Sequence, residues 1–163
     1  VRRARIEIAA SVLREMKAEA QDRFPAESGG VLLGYRYPSR REPLRVVRLI
    51  GPGPKARHRP HRFEPDGAWQ DAEIARAYEE SGRTLDYLGD WHSHPRAGGR
   101  PSGLDRSTAR EIAECEEARA PHPLFVILHG GPEGWSPAPY RYRRRRLGLV
   151  RLDILGDEEE SAR

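Results

Sequence analysis

A chain of 163 residues with 37% hydrophobic and 33% charged residues has the length for one domain with its own core and a well-solvated surface. No apolar run approaches the ~20 residues that span a bilayer, no secretory leader is read at the start, and the single cysteine, Cys115, excludes an internal disulfide and suits a reducing compartment, so a cytoplasmic location is expected. The net charge of +4 and the run RYRRRR over 141–146 raise nucleic acid as a partner, but arginine is spread through the chain without an aromatic stacking pattern, so neither nucleic acid nor membrane is expected.

In chain order, ARIEIA (4–9) alternates and predicts a first strand. Val12, Leu13, Met16 and Ala20 then recur at helical spacing, with Ser11 as the expected N-cap and Pro25 as the stop. ESGGVLLGYRY (27–37) predicts a buried strand whose glycines permit close backbone approach. Pro38, Ser39 and Pro43 frame a turn into LRVVRLIG (44–51), a second strand. Residues 51–65, with prolines at 52, 54, 60 and 65 and no periodicity, predict an exposed loop, and loops this long inside a small domain are often functional. His58 and His61 in it suggest a second metal, against which their basic neighbours argue.

Asp66 is expected to cap a helix with Trp69, Ile74 and Tyr78 inward. TLDYLGDWHSH (84–94) reads as a strand, SGLDRSTAREIAECEEA (102–118) as a helix and PLFVILHG (123–130) as a buried strand. APYRYRRRRLGLVRLDIL (138–155) reads as two strands bent at Gly148, and residues 157–163 as an acidic tail beyond a domain of 1–156. The order β-α-β-β-α-β-α-β-β-β predicts a single α/β domain, with a mixed sheet and helices on both sides.

The chemistry concentrates in GDWHSHPRAGGRPSGLD (89–105). In a strand, positions i and i+2 share a face, so His92 and His94 can converge on one ion, and two neutral imidazoles suit zinc. On their own they read equally as surface histidines. Asp105, eleven residues beyond His94 at the start of a helix, can be returned to the same ion by the Pro/Gly-rich loop, and it also suits the helix dipole. Two histidines and one carboxylate leave a coordination position for water, the pattern of a catalytic rather than a structural site. Ser102 serves as N-cap or as a hydroxyl donor to an oxyanion. Glu27, before SGGVLLG, stands at the mouth of a buried strand and is the candidate base.

ESGGVLLG followed by GDWHSHPRAGGRPSGLD resembles the JAMM metallopeptidases, also called MPN-positive or JAB proteins. Their pattern is a distal Glu, then His-Ser/Thr-His-Pro, with seven residues between the second His and a Ser, and an Asp three further on; it is met here without gap or substitution. The resemblance runs from the first helix to the strands after residue 123 and implies a cytidine-deaminase-like α/β sandwich. The deaminase Cys-x-x-Cys pair cannot be supplied by one cysteine. It implies zinc held by His92, His94 and Asp105, Glu27 as general acid/base, Ser102 as oxyanion stabiliser, and a structural role for Ser93.

The implied reaction is hydrolysis of a peptide or isopeptide bond after the C-terminal tail of a ubiquitin-like protein. In related enzymes the region of loop 51–65 orders a strand against that tail. The compact spacing leaves no room for the large insertion of some eukaryotic relatives and resembles the prokaryotic stand-alone branch. Some of those members act beside E1-like and E2-like proteins in antiviral operons, the favoured reading. Others trim sulfur-carrier proteins, and a non-catalytic scaffold is the alternative of another class. DNA-associated relatives are a weaker alternative.

Overall fold

The side-chain alternation of strands and the one-sided apolar stripe of helices dictate a layered molecule. A computed structural model describes residues 4–37 and 43–156. Its elements in order are β1 (Arg5–Ala9), α1 (Ala10–Arg23), β2 (Gly29–Tyr35), β3 (Leu44–Ile50), β4 (Arg57–Arg59), β5 (Arg62–Glu64), α2 (Gly67–Glu80), β6 (Asp86–Pro95), α3 (Gly103–Glu114), β7 (Leu124–Gly131), β8 (Gly134–Arg143), β9 (Arg146–Leu149) and β10 (Arg151–Leu155). Eight strands form one sheet in the order β10-β1-β3-β2-β6-β7-β8-β9. β1 is parallel to β10 and β3, and β6 to β7, while the other neighbours are antiparallel. The sheet is mixed, as expected.

Helices cover both faces. Val12, Leu13, Met16 and Ala20 of α1 pack with Leu32, Leu124, Val126 and Leu128. The intervening residues face the other way: Val31 and Leu33 meet Ala77 of α2, and Phe125 and Ile127 meet Ala109 of α3. Fully burying such a side chain contributes about 1.5–3 kcal/mol. The sheet curls around α1. Leu149 pairs with Tyr140 at one end of the strand order, yet Arg151 pairs with Arg5 near the other end. Val150 joins the two, donating its N–H to Pro139 and burying its side chain beside α1.

Several local expectations are corrected. Ser11 lies inside α1, because β1 runs directly into the helix; Ala9 is the N-cap and supplies no side-chain bond. Asp66 does cap α2, accepting from Trp69 N–H at 3.3 Å. Loop 51–65 holds a two-stranded hairpin, Arg57↔Glu64 to Arg59↔Arg62. The segment after β7 forms three strands, not two: Gly148 sits within β9, and the turn falls at Arg144 and Arg145. Most of the turn expected between Pro38 and Pro43, and the acidic tail, lie outside the described residues.

One irregularity aims the site. In the β2–β6 ladder Leu32 pairs with Gly89 and Leu33 with Tyr87, which leaves Leu88 as an extra residue. Such a bulge shifts the alternation by one. Leu88 and Trp91 both face α1 in consequence, and His92 turns to Phe125 beneath α3. Gly89 adopts φ +152°, and a Cβ there would lie 1.8 Å from the Leu124 carbonyl oxygen.

Candidate metal centre

His92 and His94 lie near the C-terminal end of β6, with rings stacked at 5.8 Å and 17°. Phe125 meets the His92 ring edge-on at 4.8 Å. Beyond β6 the loop is anchored twice: Arg96 N–H donates to the Gly130 carbonyl at 2.7 Å, and the Tyr140 hydroxyl to the Gly99 carbonyl at 2.7 Å. It delivers Ser102 as the N-cap of α3. Ser102 Oγ accepts from Asp105 N–H at 3.1 Å while Asp105 Oδ2 accepts from Ser102 N–H at 2.5 Å, a reciprocal capping box. The box fixes the Asp105 carboxylate facing the histidines. Oδ1 lies 2.7 Å from His92 Nε2 and Oδ2 3.4 Å from His94 Nε2. One ligand atom from each of the three residues lies within 4.8 Å of the others.

Asp105 is 3% exposed. Burial would raise its carboxyl pKa, but the hydrogen bonds with His92 and His94 dominate and hold it far below the usual range. Burial lowers and Asp105 raises the His94 imidazole, with a net upward shift. His94 Nδ1 lies 3.4 Å from the Gly98 carbonyl, which leaves Nε2 for the cluster. Two imidazole nitrogens and a carboxylate, partly buried and turned to one point, are a donor set that fits a divalent metal ion.

Glu27 follows from the β2–β6 register. Gly29 pairs with His92, and the next step is locked by Ser28 and Ser93: Ser28 N–H donates to Ser93 Oγ at 2.9 Å, and Ser93 N–H to the Ser28 carbonyl at 2.8 Å. One further step sets Glu27 opposite His94, on the face of the two histidines. Burial raises the Glu27 carboxyl pKa, partly offset by His92, His94 and His61. Ser93 is fully buried and acts as this strand-to-strand tie, the structural part the sequence suggests. Ser102 Oγ accepts in the cap, so its O–H remains able to donate.

The sequence reading missed the partners of Glu27. The β4–β5 hairpin holds both of its backbone groups: Glu27 N–H donates to the Arg59 carbonyl at 2.8 Å, and His58 Nδ1 lies 3.0 Å from the Glu27 carbonyl. Phe63 stacks at a tilt on His58 (5.4 Å) and meets His92 edge-on (6.5 Å). A Cβ on Gly29 would come within 2.8 Å of the Phe63 ring. The signal was faint, since the turn carries Pro60-His61 rather than the Asn-Gly or Asp-Gly that marks tight hairpins. His58 Nδ1 is thereby turned to the Glu27 carbonyl.

A curled mixed sheet flanked by three helices, with two histidines from one strand and an aspartate from the next helix at one point, defines a JAMM-type metallopeptidase. The chain belongs to the prokaryotic homologs of the JAB domain, whose family model matches residues 9–147. It is 41% identical over 146 residues, 88% of each chain, to the probable metalloprotease y4qB of Sinorhizobium fredii. It is 30% identical over 109 residues, 67% of this chain and 65% of the relative, to a CD-NTase/cGAS isopeptidase of Vibrio cholerae. A protein of the same description from Escherichia coli is 25% identical over 130 residues, 78% of each chain. The solution structure of protein DSY2949 from Desulfitobacterium hafniense shares the fold, with TM-score 0.70 at 20% identity over 97% of this chain and 99% of that one. The protein is an enzyme, a hydrolase of the JAMM class.

Proposed function

We propose that the enzyme is a zinc-dependent isopeptidase or peptidase that cleaves after the C-terminal tail of a ubiquitin-like protein. The observation that carries this is the convergence of His92, His94 and Asp105 with Glu27 across the β2–β6 ladder. His92, His94 and Asp105 hold the ion. When bound, it supplies Lewis-acid polarisation and acidifies water. Glu27 takes the proton of the attacking water and delivers it to the leaving amine, a task that an upward-shifted carboxyl favours. Ser102 donates its hydroxyl to the oxyanion that develops on the scissile carbonyl.

An extended tail needs an edge to pair with. The β4–β5 hairpin, already against Glu27 and His92, supplies one. The relatives named CD-NTase/cGAS isopeptidases support an isopeptide bond as the target and a conjugate of a CD-NTase-type protein as one substrate. E1-like and E2-like proteins would be the enzymes that form such a bond, in a bacterial antiviral conjugation system. Sulfur-carrier processing is not favoured by any residue of the site.

Glu27→Gln keeps the ligands and removes the base. The variant is expected to bind metal as the wild type does while cleavage of a ubiquitin-like conjugate falls by at least about 10²-fold. Mass measurement of the products checks it, and a wild-type rate in Glu27→Gln contradicts the assignment.

A further inference from the structure

Arg106 and Arg110 of α3 converge with Arg145 and Arg146 of the β8–β9 hairpin on a cavity of about 310 Å³, walled also by Ser107 and Tyr142. Some arginines elsewhere meet carboxylates, as Arg5, Arg23, Arg62, Arg76, Arg83 and Arg151 do. None of the cavity's four has a carboxylate partner among the described residues; Arg106 donates to the Pro101 carbonyl at 3.3 Å. The Glu111 carboxylate stands nearby, accepting from Ser107 Oγ at 3.2 Å, but pairs with none of the four, and four unpaired like charges around one hollow set up a field that an anion relieves.

The hairpin turn adds a second observation. Arg144 and Arg145 adopt φ of +49° and +63°. A two-residue turn of this hand favours Asn and Gly, and arginine at both positions is strained. The chain carries that strain where it brings Arg145 and Arg146 opposite α3.

The cavity also borders the metal centre. Gly103, the first residue of α3, lines it, two positions before Asp105. α3 packs over β7 and β8, whereas the β4–β5 hairpin holds Glu27 at the start of β2. β2 and β7 lie on opposite sides of β6. The arginine cavity and the hairpin therefore flank the centre on opposite sides.

We propose that this cavity binds an acidic, Asp/Glu-rich segment of the protein substrate on the side of the scissile bond away from the ubiquitin-like tail. The identity of the segment rests on the peptidase reading above; its chemistry rests on the cavity alone. Guanidinium forks match carboxylates in bidentate geometry. A nucleic acid is disfavoured, because Tyr142 is 7% exposed and presents no open ring for a base to stack on.

The test measures anisotropy of fluorescein-labelled hexaglutamate, hexaglutamine and decathymidylate with the full chain. Hexaglutamate is expected to bind more tightly than hexaglutamine. Arg110→Glu/Arg146→Glu is expected to weaken it at least about tenfold. Arg110→Gln/Arg146→Gln, a milder change, is expected to weaken it in the same direction. Arg76→Glu/Arg83→Glu, on α2 and in the turn beyond it, removes the same charge elsewhere and is expected to stay within about twofold. Binding that persists in EDTA tests the cavity independently of the hydrolase reading, since failure of that reading leaves it unchanged. Equal binding of hexaglutamine, or equal loss in the Arg76/Arg83 variant, overturns the proposal. So does tighter binding of decathymidylate that the cavity variants abolish.

Discussion

Glu27 is held in position by its neighbours, while burial disfavours its charge more than the nearby histidines favour it. Burial raises its carboxyl above the ordinary value of 4.5, so in the metal-free protein the folded state keeps this proton over a pH range where the unfolded chain has lost it. Its contribution to stability therefore falls as pH rises from about 4.5 through the raised value. Metal-free Glu27→Gln is expected to gain melting temperature relative to wild type on going from about pH 4 to about pH 7. A relative loss over that interval, by calorimetry, contradicts the shift. His58, bonded to the Glu27 carbonyl, is a positioning residue. His58→Ala is expected to lower kcat roughly tenfold, with metal content unchanged and KM altered less. An unchanged kcat contradicts that role. The motif residues were legible because strand alternation and a capped helix start bring them together locally. Glu27 showed through its place before the glycines of a buried strand, and the family resemblance gave it its role, whereas His58 and Phe63 were hidden because their roles exist only once the hairpin folds back on β2.

At the scale of elements, the strands that run both faces into core, β2 and β7, announce themselves as apolar runs. β4 and β5 are three residues each, exposed or half-buried, with arginine at three of the six positions, so their pairing leaves no periodicity to read. The β8–β10 segment was miscounted for a related reason: Gly148 suggested the bend, whereas the chain turns at Arg144–Arg145 and breaks again at Val150. The strained turn carries its own prediction. Arg144→Asn/Arg145→Gly relieves two left-handed arginines and is expected to stabilise the fold by about 1–2 kcal/mol, a rise of a few degrees in melting temperature. A lower melting temperature contradicts the strain.

Across the whole molecule, closure of the sheet around α1 sets the interior, and the β6 bulge sets which way the site looks. Neither was readable in the sequence. Closure depends on β10 crossing to β1, a pairing between opposite ends of the described chain, and the bulge depends on register with β2. The α/β class and both helix layers were legible, since they follow from the alternation of elements. The proposed chemistry requires that the curled sheet gather one metal ion on His92, His94 and Asp105. Metal content of the purified chain tests it most directly. About one zinc per wild-type chain is expected, with near-complete loss in His94→Ala, whose neighbours keep only two ligands. A zinc-free wild type, or a His94→Ala protein with undiminished zinc, contradicts it.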